Sequence, residues 1–197
     1  IHPTEEDLAE QKRLEQEMNK PFVLFAGRLV YYKGLQYLLR AIKDVDCHFV
    51  IAGDGPFYAN LKLLAHGLED RVTFTGNISD SRMRALMSKC ELFVLPSIST
   101  SETFGLVQLE AMAAGKAIIN TDLATGVPEV SRHEESGLTV PPRDAAALAK
   151  ALNDLLANDS KRNEYGRNAR DRLLKHYSVQ AMADVTMKVY RELMESW

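Results

Sequence analysis

The 197 residues carry a formal net charge of −3, with 46% hydrophobic and 26% charged side chains, ordinary usage for one globular domain with a substantial core. This balance gives no reason to expect a basic nucleic-acid-binding surface, and no apolar run approaches the roughly 20 residues that cross a bilayer. The start, Ile1-His-Pro-Thr-Glu-Glu-Asp7, lacks the basic and apolar regions of a signal peptide and has no initiator Met, so a longer parent protein is expected.

Short apolar runs alternate with amphipathic stretches. The first run, Phe22–Ala26, reads as a buried strand ended by Gly27. Leu35, Leu38, Leu39 and Ile42 then recur at helical spacing over residues 34–45. A second strand, His48–Ala52, closes on Gly53-Asp-Gly-Pro56, and a helix is predicted over residues 57–66. The third strand covers residues 72–75, and Ser79 is placed to cap a helix over Asp80–Lys89. Leu92–Leu95 is the fourth strand, residues 104–114 the next helix, residues 117–120 the fifth strand and residues 138–140 the sixth. Three helices follow Pro141-Pro142, over residues 144–157, 161–175 and 179–195. Cys47 and Cys90 adjoin apolar runs and are expected to be free, buried thiols, which fits a reducing cytoplasm.

Continuously apolar strands separated by helices imply a parallel sheet covered on both faces. With right-handed crossovers, this predicts an α/β, doubly wound, Rossmann-like domain of about six parallel strands with a helical C-terminal tail. Residues 1–20 read as a leading or linker segment, 21–177 as the domain, and 178–197 as a closing helix.

Ligands of such sheets bind outside the carboxyl ends of the strands. Gly27-Arg-Leu-Val-Tyr-Tyr-Lys-Gly34 leaves a strand with two cations, Arg28 and Lys33, suited to phosphate oxygens. Gly53-Asp-Gly55 is a tight turn that lets a ligand approach backbone; Tyr58 stands where a dinucleotide fingerprint needs its third glycine. Ser101-Glu-Thr-Phe-Gly-Leu-Val-Gln-Leu-Glu110 places Glu102 before a predicted helix and Glu110 within it, roughly 12 Å farther along if all eight steps are helical. The amides of Phe104, Gly105 and Leu106 would then open towards a ligand. Two carboxylates spaced this way suit the hydroxyls of a sugar and a ribose. Each residue also has a plain role as a solvated charge or an early-helix anion, and Glu129 has the same plain role. Asp44-x-Asp46 precedes a strand, and the five histidines show no metal-ligand spacing.

Taken together, Gly27-Arg28 with Lys33-Gly34, Gly53-Asp-Gly55, Glu102-x-Phe-Gly with Glu110, and Ala111-Met-Ala-Ala-Gly115 resemble glycosyltransferase family 4. The likeness is to the C-terminal domain of its GT-B architecture, and it covers nearly the whole chain from Pro21 onwards. The resemblance implies a nucleoside-diphosphate-sugar donor, no cofactor and no metal. It implies that Arg28 and Lys33 hold the diphosphate and stabilise it as leaving group. Glu102, assisted by Thr103 and the Phe104–Leu106 amides, would bind donor-sugar hydroxyls, and Glu110 the ribose. Gly27 and Gly53 would line the donor, and Asn77 and Ile78 would lie near the base. Such enzymes retain anomeric configuration, by front-face attack. Where the family commonly has a glycine pair, this chain has Thr125-Gly126. A retaining hexosyltransferase half is therefore expected, inactive alone, acting on a sugar or lipid-linked acceptor, with the closing helix packed towards an N-terminal domain. Any contact with a cytoplasmic membrane would come through that other domain. The alternatives are a non-catalytic nucleotide-sugar-binding module and a nicotinamide-dependent oxidoreductase, the latter lacking its glycine-rich first turn.

Overall fold

The computed structural model describes residues 4–18 and 20–195. Six strands, β1 (Phe22–Ala26), β2 (His48–Ala52), β3 (Val72–Gly76), β4 (Leu92–Leu95), β5 (Ile118–Thr121) and β6 (Gly137–Val140), form one sheet. The order is β3-β2-β1-β4-β5-β6 and every pairing is parallel. The strand order reverses between β1 and β4, and crevices at such reversals hold ligands. β1, β4 and β5 are buried at every position. Helices cover both faces, which is why these strands carry apolar side chains without alternation.

The helices are α1 (Glu5–Glu17), α2 (Leu35–Ala41), α3 (Tyr58–Leu64), α4 (Asp80–Lys89), α5 (Val107–Ala113), α6 (Val127–Val130), α7 (Ala145–Leu156), α8 (Asp159–His176) and α9 (Val179–Glu195). α2 packs with α7, and α5 with α8. Their starts are capped as short polar side chains allow: Ser79 accepts from the Arg82 amide, Asp144 from Ala147 and Asn158 from Lys161. The expected fold is the observed one.

Three elements differ from expectation. The leading segment contains α1, started by a reciprocal Thr4–Asp7 capping box and docked on α4. The helix expected from residue 104 begins at Val107, because Gly105 adopts φ +71° and breaks the helical run. The short α6 was not anticipated. Of the two thiols, Cys90 is buried, and burial pushes it up to about 12. Cys47 is only half-buried, and desolvation raises it as well.

Candidate functional site

The loops leaving the carboxyl ends of β1, β2, β3 and β4 are stitched into one line. Gly53 lies so close to the first loop that a Cβ there would meet the Gly27 carbonyl oxygen at 2.1 Å, and its φ of +126° suits glycine alone. The Gly53 amide donates to the Gly76 carbonyl at 3.0 Å, which brings the Asn77–Ile78 turn alongside. The Leu29 amide donates to the Asp54 carbonyl, and the Ile98 amide to Tyr32. These bonds join the 27–34 loop to its neighbours on both sides.

Within that line the two expected cations differ. Arg28 is exposed and has no ion pair or hydrogen bond from its side chain among the described residues. Lys33 is buried, and its Nζ lies 2.5 Å from Glu102 Oε2. Ser97 Oγ donates to the same oxygen at 3.0 Å, and Thr121 Oγ1 in turn donates to the Ser97 carbonyl. Both Glu102 contacts fall on Oε2, so Oε1 keeps its acceptor capacity for another donor.

Thr103 is exposed, and its carbonyl accepts from the Gly126 amide at 2.8 Å. The Phe104, Gly105 and Leu106 amides have no acceptor among the described residues. They belong to a turn ahead of α5 rather than to its first turn, which corrects their expected setting. For the same reason the helical-rise distance between Glu102 and Glu110 does not apply. Glu110, in the first turn of α5, reaches solvent, and its carboxylate has no hydrogen-bond partner among the described residues. Partial desolvation and the negative charge of Asp80 raise its carboxyl above the ordinary range.

Glu129 pairs with Arg132 and Arg172, whose guanidinium groups hold its carboxyl below the usual range. That matches its plain role as an anion in the first turn of α6. Among the described residues no group of three or more His, Cys, Asp or Glu side chains is placed to hold a metal ion, and no helix is long and apolar enough to cross a membrane. A depression of about 280 Å³ at the opposite end of the sheet, beside Lys20, Cys47 and His48, is remote from these loops.

Ser97, Gln108, Asn120 and Thr121 support the site but were not singled out from sequence. The available signal was a polar residue interrupting an apolar run, as in Ala117-Ile-Ile-Asn120.

A family model described as "Glycosyl transferases group 1" matches residues 7–172. The O-antigen chain mannosyltransferase C of Escherichia coli is 33% identical over 197 residues, covering 99% of this chain and 53% of that protein. Sucrose-phosphate synthase from Thermosynechococcus elongatus superposes with a TM-score of 0.82 at 30% identity, over 100% of this chain and 50% of its own. Anabaena Alr3699/HepE in complex with UDP gives a TM-score of 0.82 at 25% identity, over 95% of this chain and 53% of its own. The chain thus spans about half the length of these three relatives.

Proposed function

Because this chain belongs to the group 1 glycosyl transferases, we propose that it is the donor-binding half of a retaining, metal-independent hexosyltransferase of family 4. The observation that carries the reading is the continuous line of loops at the strand carboxyl ends. On it stand an unpaired cation at Arg28, a second at Lys33, unengaged amides at residues 104–106 and an exposed carboxylate at Glu110. Cations and amides are complementary to a diphosphate, and carboxylates to sugar and ribose hydroxyls. A mannosyltransferase among the relatives and a UDP complex among the structural neighbours support a nucleoside-diphosphate-sugar donor.

In the reaction, an acceptor hydroxyl attacks the anomeric carbon from the face the leaving group departs. The bond from that carbon to the diphosphate oxygen breaks, and the nucleoside diphosphate leaves with the electron pair. The acceptor proton passes to a diphosphate oxygen. Arg28 and Lys33 stabilise the charge growing there. Glu102 Oε1 and the Phe104–Leu106 amides orient the sugar; Glu110 holds the ribose, and Asn77 and Ile78 flank the base.

Relatives about twice as long support an acceptor half elsewhere in the protein, against which the apolar face of α9 would pack. The acceptor is a sugar or a lipid-linked sugar. Isothermal titration of this chain with UDP-, GDP- and ADP-sugars tests the reading. One of them is expected to bind without sugar transfer; binding by none, in a folded chain, overturns it, and turnover of an acceptor by this chain alone removes the claim of a half.

A further inference from the structure

Asn120 ends an apolar strand run and is 1% exposed. A buried carboxamide costs free energy unless its hydrogen bonds are made, and apolar residues of similar volume are often at least as stable. This one is saturated. Its Nδ2 lies 2.9 Å from Gln108 Oε1, 3.0 Å from the Val127 carbonyl and 3.0 Å from the Ser131 carbonyl. Its Oδ1 accepts from Thr139 Oγ1 at 2.8 Å.

The same bonds reach the 103–106 turn by two routes. Gln108, oriented through its oxygen by Asn120, donates from Nε2 to the Phe104 carbonyl at 3.1 Å. α6 is too short to satisfy its own carbonyls. Asn120 takes those of Val127 and Ser131, while Arg172 takes those of Glu129 and Val130 at 2.7 and 3.1 Å. So anchored, α6 presents the Gly126 amide to the Thr103 carbonyl. Gly105 is wedged between: a Cβ there would meet Leu95 Cδ2 at 2.6 Å and Gln108 Nε2 at 2.9 Å. Two carbonyls of the turn are tied inward, and its three following amides are left without an acceptor among the described residues.

We propose that Asn120 and Gln108 are positioning residues that hold the 103–106 turn so that its free amides receive the diphosphate-sugar portion of the donor. The proposal rests on the donor-binding reading above. It predicts a selective effect, because among the described residues neither side chain hydrogen-bonds to the Asn77–Ile78 turn or to the Glu110 carboxylate, where the donor-binding reading puts the nucleoside.

The test titrates this chain and its Asn120→Ala and Gln108→Met variants with UDP-glucose, GDP-mannose and ADP-glucose, and with UMP, GMP and AMP. Gln108→Met keeps the side-chain length, removes the donor to the Phe104 and Val127 carbonyls and the acceptor for Asn120, and leaves Asn120 its own bonds to the Val127 and Ser131 carbonyls, so it decides the matter if Asn120→Ala does not fold. Loss of the bonds that each variant removes is expected to weaken the sugar nucleotide at least about tenfold, with the matching monophosphate changed less than about twofold. Folding of each variant is followed by thermal melting. Equal weakening of both ligand types, or no weakening in a folded variant, overturns the proposal and leaves donor binding standing. Failure of the unaltered chain to bind any sugar nucleotide overturns both.

Discussion

Arg28 and Lys33 leave one loop in different electrostatic states, since Lys33 is buried against Glu102 and Arg28 is exposed and unpaired. Arg28→Ala should therefore leave stability within about 0.5 kcal/mol. It should weaken diphosphate binding by about 1.5–3 kcal/mol, the worth of a hydrogen bond to a charged group. Titration calorimetry beside thermal melting checks both. Lys33→Ala strands a buried carboxylate and should cost about 3–5 kcal/mol of folding stability, seen as a lowered urea midpoint. The two cations were legible as a pair from spacing, but their difference was not. Lys33 meets its partner 69 residues away in the chain, a contact only the sheet creates. Glu110 supplies a pH signature. Desolvation and Asp80 raise its folded-state value above the unfolded one. Its charge therefore disfavours folding, an effect absent below the ordinary carboxylate value and fully present above the raised one. Hydroxyl donors of a ribose favour the ionised form, so nucleotide affinity should increase as pH rises through the raised Glu110 value. Glu110→Gln should flatten that increase; an unchanged profile in the variant would assign it to another group.

Helix α1 shows how an element can hide from periodicity. Its sequence, Glu-Glu-Asp-Leu-Ala-Glu-Gln-Lys-Arg-Leu-Glu-Gln-Glu, gives an apolar-face reading little to find, and only Leu14 among its apolar residues is buried. Charge docks it instead. Arg84 meets Asp7 at 2.8 Å, Arg82 meets Glu10 at 3.2 Å and also Glu17, and Lys89 meets Glu15. A helix of acids lying on the cations of α4 was legible only to someone who already knew the two were neighbours. α6 escaped for a different reason, being shorter than any periodicity window. The start of α5 was misread although its signal was present, because Gly105 reads as tolerable in a helix until its positive φ is seen. Pairs with a solvent-exposed partner, as in Lys89–Glu15 and Arg82–Glu17, contribute little each and are screened by salt. Amide hydrogen exchange in α1 should therefore accelerate between low and high NaCl while that of β1 and β4 stays fixed. Leu14→Ala should bring the same acceleration at low salt, through a local loss of about 2–5 kcal/mol. Equal acceleration of the sheet strands would show that α1 unfolds with the domain rather than ahead of it.

At the scale of the whole molecule, the parallel, doubly wound sheet and the convergence of loops were readable because parallel strands and crossovers leave few topologies open. What lies outside that logic is α9. It is amphipathic, yet none of its residues is buried, and Met182, Val185 and Val189 on one face are 63%, 64% and 50% exposed. A helix spending its apolar side on solvent gains nothing for this domain from that side. Removing residues 178–197 should therefore cost no more than a surface change, about 0.5 kcal/mol, which for a domain of this size is a shift of about 1–2 °C in melting temperature. Nucleotide affinity should be kept, because among the described residues no hydrogen bond or ion pair joins the loops carrying Arg28, Lys33 and Glu102 to residues 178–195. The exposed face should instead govern association, since contiguous apolar surface marks interaction sites. Sedimentation velocity of the intact chain should show self-association that grows with concentration and vanishes on truncation. A fall in melting temperature well beyond that range, or a loss of nucleotide binding on truncation, would mean that α9 belongs to the donor domain's own core.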